Sequence, residues 1–147
     1  MKVVWDAVQP RMPDVDPNIV KWSAEAIEVT KSCSTIQLNY SIESIQKVDE
    51  VLAALHPEAG SMPENVLAGT SRIYGAYVGE CIRRHHSGNA YWEHNNFDVD
   101  RPSYILHWGG IEVYPMVWCL RRLQNPENEA MWPKYLITIS MHNKAGT

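Results

Sequence analysis

The sequence predicts a single α+β domain in which a small antiparallel sheet packs against several helices. Three observations carry this expectation. Apolar residues recur at helical spacing in separate stretches, a Gly109-Gly110 pair joins two short strand-like runs, and no linker long enough to divide the 147 residues occurs. A chain of this length can bury a substantial core without metals or disulfides.

Residues 1–16 read as an irregular leader with Pro10 and Pro13, in which Val3-Val4-Trp5 could form a short strand. Asp16-Pro17 is a helix entry, Asp as N-cap and Pro at the first helical position. Ile19, Val20, Trp22, Ala26, Ile27 and Val29 then predict a helix over Asn18 to Lys31. Ser34 to Tyr40 alternates polar with apolar residues and predicts a half-buried strand. Ser41 opens the clearest amphipathic helix, with Ile42, Ile45, Val48, Val51, Leu52 and Leu55 on one stripe. Tyr40 is placed to pack on Ile45 as a hydrophobic staple, and His56-Pro57 is expected to end the helix.

A longer helix is expected from Glu64 to His86, stopped by Ser87-Gly88. Tyr91-Trp92-Glu93 reads as a strand and Asn95 to Pro102 as a polar connection. Ser103 to Trp108 and Ile111 to Tyr114 form a hairpin through the two glycines. Pro115 begins another helix, Met116 to Leu123, followed by a turn near Glu127 to Trp132. The β-branched run Tyr135 to Ile139 predicts a closing strand.

Composition narrows the function classes. Hydrophobic residues are 45% and charged residues 20% of the chain, which argues against disorder. The net charge of −4 argues against nucleic-acid or anionic-membrane binding by the domain as a whole. Basic clusters at Arg83-Arg84-His85-His86 and Arg121-Arg122 fall at predicted helix C-termini, where cations favour the helix dipole. Cys33, Cys81 and Cys119 are odd in number and widely spaced, so they read as reduced core residues of a cytoplasmic protein. The first ten residues lack a signal-peptide pattern, and no apolar run is long enough to span a membrane. Six Trp and seven Tyr against one Phe raise the expectation of a binding surface.

The most informative segment is Gly75-Ala76-Tyr77-Val78-Gly79-Glu80. Its glycines lie four apart on one helix face, each costing about 1 kcal/mol relative to Ala, so close approach of another element or of a ligand is expected there. Glu80 stands three and four residues before Arg83 and Arg84. This is either a surface ion pair or a carboxylate held in a cleft by arginine. The histidines 85, 86, 94 and 107 lack any metal-ligand spacing, and neither a nucleophile elbow nor a phosphate loop is present, so no cofactor or metal is expected. His107 to Trp118 is rich in aromatics. Trp108, Tyr114 and Trp118 are expected near one another, with Trp118 in the core and Trp108 exposed at the turn.

The strand and helix from Leu38 to Leu55, the Gly75–Glu80 segment with Arg83-Arg84, Trp92, and the Gly-Gly hairpin entering Tyr114-Pro115-Met116 and Trp118 together resemble a loose group of small bacterial proteins. Members of that group recur near polymorphic-toxin and type VI secretion loci. The resemblance covers roughly Leu38 to Leu123 and implies an immunity protein that inhibits a cognate toxin by stoichiometric binding. Glu80, Trp92, Trp108, Glu112 and Tyr114 are then the expected partner-binding residues, and the acidic balance would suit a basic toxin. The competing expectation is a small enzyme or ligand-binding domain. It would use a cleft beside Gly75 and Gly79, with Glu80 as acid/base and Arg83 or Arg84 as anion anchor. A third is a homodimer with the glycine notch as its interface.

Overall fold

The computed structural model describes residues 15–95 and 103–145. Val3-Val4-Trp5, and nearly all of the connection expected after Asn95, lie outside them. The described elements are α1 (Pro17–Cys33), α2 (Ser44–Ala59), α3 (Glu64–His85), β1 (Ala90–Asn95), β2 (Ser103–Trp108), β3 (Ile111–Val113), α4 (Pro115–Gln124) and α5 (Met131–Ala145). Five helices and a three-stranded antiparallel sheet of order β1-β2-β3 make an α+β domain.

Helix α1 starts where expected, with Asp16 Oδ1 accepting from the Asn18 amide at 2.8 Å and Pro17 in the first turn. Its buried stripe is Ile19, Ser23, Ala26 and Thr30, while Val20 and Val29 face solvent. Small side chains at Ser23 and Ala26 let α1 lie against α3. Thr30 Oγ1 meets the Tyr74 hydroxyl at 2.8 Å in that buried seam.

The strand expected over Ser34 to Tyr40 does not form. The alternation is real, since Leu38 is buried between exposed Gln37 and Asn39, but no strand among the described residues pairs with this segment. It ends at Tyr40 with φ of 65°, a left-handed conformation uncommon for a non-glycine residue. The Tyr77 hydroxyl accepts from the Tyr40 amide at 2.8 Å, and the two rings stack with centroids 5.0 Å apart. Tyr40 therefore packs on Tyr77 of α3, at the edge of the core cluster that contains Ile45.

Helix α2 buries Ile45, Val48, Val51 and Leu52 as its periodicity predicts, with Ile42 buried just before it. It continues through Pro57 to Ala59 rather than stopping at His56. His56 Nδ1 donates to the Leu123 carbonyl at 2.8 Å, which fixes this last turn against the end of α4.

Helix α3 is central: it touches α1, α2, α4, β1 and β2. Every residue from Tyr74 to Arg83 is buried, more than one amphipathic stripe would give, because neighbours pack on all of its sides there. The β2–β3 turn has φ of 57° at Gly109 and 85° at Gly110, the two positive values that a type I′ turn needs. Trp108 pairs with Ala90 and Ile111 across the sheet, and Leu106 with Trp92 and Val113. Ala90, Tyr104, Leu106, Trp108 and Val113 form the buried inner face.

The closing strand expected at Tyr135 to Ile139 is instead part of helix α5. Met131, Tyr135 and Thr138 are buried at helical spacing, whereas Leu136 and Ile137 are exposed. The decisive group lies far away in sequence. Asp49 of α2 accepts from the amides of Met131 (2.8 Å) and Trp132 (3.0 Å), satisfying the otherwise orphaned N–H groups of the first turn. Tertiary capping of this kind overrides β-propensity. Burial pushes the Asp49 carboxyl upward despite these amides and the nearby cations Arg122 and Lys134, with Arg122 Nε 3.2 Å from Oδ1.

Candidate functional site

The glycine notch of α3 is filled by the chain itself. A methyl group placed on Gly75 would come within 2.5 Å of Met116 Cα and within 2.7 Å of its amide nitrogen, so α4 enters at a distance only glycine permits. A methyl group on Gly79 would overlap the six-membered ring of Trp92, with Pro115 also close. Neither a ligand nor a second copy of the chain has room between these groups and α3.

Glu80 forms the expected ion pairs with Arg83 and Arg84, but its carboxylate is fully buried, neither at the surface nor in a cleft. Oε2 accepts from Arg83 Nε at 2.6 Å and from Trp92 Nε1 at 2.9 Å. Oε1 accepts from Arg83 Nη2 at 3.0 Å and Arg84 Nε at 3.4 Å. Burial alone would push this carboxyl up. The hydrogen bonds from Arg83 and Trp92 and the charges of both arginines outweigh it and hold the group below the usual carboxylate range. An ionised carboxylate with both oxygens occupied is poorly suited to shuttle protons. Its visible work is to orient Arg83, Arg84 and the indole of Trp92.

A second polar chain adjoins it. Arg84 lies over the Tyr40 ring at 3.6 Å, and the Tyr40 hydroxyl donates to Ser23 Oγ at 3.2 Å. Ser44 Oγ meets the Tyr77 hydroxyl at 2.8 Å and Cys81 Sγ at 3.4 Å. Burial pushes the Cys81 thiol up to about 11, so it is not an activated nucleophile. Cys119 is likewise buried, with a thiol pushed upward, whereas Cys33 is exposed instead of lying in the core.

Trp108, expected at the surface, is 1% exposed and sits in an aromatic box. Its ring centroid lies 4.6 Å from His86, 5.5 Å from Tyr135 and 4.4 Å from His142. His142 Nε2 donates to the Trp108 carbonyl at 2.7 Å, and His86 Nε2 lies 3.0 Å from the Tyr135 hydroxyl. Trp118, half-buried, packs on the main core. The expected cluster of Trp108, Tyr114 and Trp118 is thus replaced by one built from α3, β2 and α5. Among the described residues no three His, Cys, Asp or Glu side chains are grouped to hold a metal ion.

The five residues expected at a partner face are divided. Glu80 and Trp108 are sealed in the interior, and Trp92 is half-buried between the sheet and Gly79. Glu112 and Tyr114 are exposed, and the Tyr114 hydroxyl donates to Glu112 Oε2 at 2.7 Å. They share the outer face of the sheet with Tyr91, Glu93 and His107. None of these three was expected at a partner face, and His107 was weighed only as a metal ligand; alternation with Trp92 in β1 and with Leu106 and Trp108 in β2 sets all three on the other face. A separate shallow groove of about 390 Å³ lies between α1 and the first half of α3. Trp22, Val29, Met62, Val66 and Ile73 line it, and Arg72 sits over the Trp22 ring at 5.0 Å.

No helix among the described residues is long and apolar enough to cross a membrane. No protein family, curated protein or solved structure matches the chain.

Proposed function

We propose that this chain is a non-catalytic cytoplasmic binding protein, an immunity-type inhibitor that neutralises a cognate protein toxin by stoichiometric association. One observation carries the choice over the enzyme reading. The acid/base that reading requires, Glu80, is enclosed, ionised and occupied at both oxygens, and the glycine notch beside it is closed by Met116 and Trp92. The chemically distinctive surface that remains is the tyrosine- and glutamate-bearing face of the sheet, which suits association rather than turnover. The toxin as partner is taken from the likeness to secretion-associated immunity proteins.

The test is affinity capture with the tagged full chain in cells that produce it, followed by co-expression with each protein recovered. The expected result is a tight complex of equal stoichiometry whose partner arrests growth unless this chain is present. Absence of any tight protein partner, or a partner whose toxicity is unaffected, would refute the reading.

A further inference from the structure

We propose that the outer face of the sheet is the docking surface for a partner protein, and that the partner meets it with a basic surface of arginine or lysine side chains. This assignment rests on the reading of the chain as a binding protein and adds where, and with what chemistry, it binds.

The strand register arranges the face as two rows. One runs Tyr91, His107, Glu112; the other runs Glu93, Ile105 and, continuing the register one step beyond β3, Tyr114, with Ile105 itself buried and the exposed groups lying around it. Contacts between neighbouring strands, and one along the β3 segment, hold these side chains in place. The Tyr91 and His107 rings stack at 4.8 Å with planes 15° apart, His107 Nε2 lies 3.0 Å from Glu93 Oε1, and Tyr114 is bonded to Glu112. Side chains already ordered in the free protein lose less rotamer entropy on association. Tyr91 is 50% exposed and Tyr114 36%, so two amphipathic rings stand open on a fixed scaffold, the residue type most often found as an interface anchor.

Charge selects the partner. The described strands carry Glu93 and Glu112 and not one lysine or arginine, in a chain of net charge −4. Both glutamates are exposed and the contacts above engage one oxygen of each, so a guanidinium or ammonium group can approach these side chains from solvent. A polyanion such as nucleic acid is repelled by the same face. The groove beside Val66, where Glu25 and Arg72 carry opposite charges, and the exposed Leu136 of α5 present no excess of negative charge, and they serve as controls.

The experiment places the photo-crosslinking amino acid p-benzoylphenylalanine at Tyr91, Tyr114, Val66 or Leu136 of the full chain, one site at a time, in the cells that produce it. The expected outcome is one shared adduct from Tyr91 and Tyr114, with a protein of basic isoelectric point, and at least tenfold less of it from Val66 and Leu136. The double variant Glu93→Lys/Glu112→Lys should cut that adduct tenfold or more with an unchanged melting temperature, since both carboxylates are exposed. An adduct confined to Val66 or Leu136, an acidic partner, or a yield indifferent to charge reversal would overturn the surface while leaving a binding function intact. No adduct at any of the four sites, together with no captured partner, would end both proposals.

Discussion

The indole of Trp92 donates to Glu80 Oε2 at 2.9 Å while its six-membered ring occupies the space that a side chain at Gly79 would fill. One residue of β1 thereby uses both halves of the notched helix segment. The sheet is held to α3 by a polar anchor and a shape match at adjacent positions, and either half depends on the other.

Glu80→Gln should therefore be a folding defect. It removes the carboxylate charge that Arg83 meets in the interior, and breaking a buried pair at one member costs about 3–5 kcal/mol. Urea denaturation should show that loss. Affinity for a partner should change only in proportion to the unfolded fraction. A Glu80→Gln protein as stable as wild type would show that the carboxylate does not anchor α3 to β1.

Gly75→Ala and Gly79→Ala should both destabilise, against the helix-propensity gain of about 1 kcal/mol that each would bring in isolation. Overpacking of this kind costs about 1–3 kcal/mol and more where the neighbour cannot move. Gly75 faces the backbone of Met116, whereas Gly79 faces a side chain, so Gly75→Ala should be the worse of the two. Chemical denaturation of the pair checks the order. Equal stability of either variant to wild type would mean that α4 or Trp92 can withdraw without loss.

Asp49→Ala should release the first turn of α5 by removing the acceptor of two amides, at about 2 kcal/mol or more, while Asp49→Asn retains one oxygen acceptor and part of that stability. Hydrogen exchange should accelerate first in α5 amides. Unchanged protection in the alanine variant would argue that packing of Met131 and Tyr135 alone holds the helix.

His86 predicts a stability that falls with acid. Burial lowers its pKa below the ordinary 6.5, and the neighbouring imidazoles of His85, the last residue of α3, and His142 on α5 lower it further. Trp108 of β2 and the Tyr135 hydroxyl face it from the other elements, and burial pushes Tyr135 up to about 12, so that hydroxyl stays neutral. Between the lowered folded value and 6.5 the unfolded chain binds more protons. The contribution is therefore complete above the unfolded value and lost as pH falls through the folded one. Urea midpoints at about pH 7.5 and about pH 5.5 should differ less in His86→Phe than in wild type. An identical difference in both proteins would place the acid sensitivity elsewhere.

The periodic elements were legible in the sequence because their signals are local. Asp16-Pro17 starts α1, the stripe from Ile42 to Leu52 lies buried as its spacing requires, and Gly109-Gly110 makes the hairpin. Two strand expectations failed for the opposite reason. Alternation at Ser34 to Tyr40 found no strand to pair with, and β-branched residues at Ile137 to Ile139 were drawn into a helix by a carboxylate 82 residues away from Met131.

The glycine-notched helix shows where the division falls. Sequence alone determined that something must approach Gly75 and Gly79 closely, because two glycines in one helix carry a cost that free surface would not repay. It also determined that Glu80, Arg83 and Arg84 would be neighbours, because helical spacing fixes that. Only the tertiary structure decided that Met116 and Trp92 make the approach, that Glu80 lies wholly inside, and that Tyr91, Glu93, His107, Glu112 and Tyr114 share the open face. Burial and cross-strand register depend on contacts between residues distant in the chain, and local periodicity does not encode them.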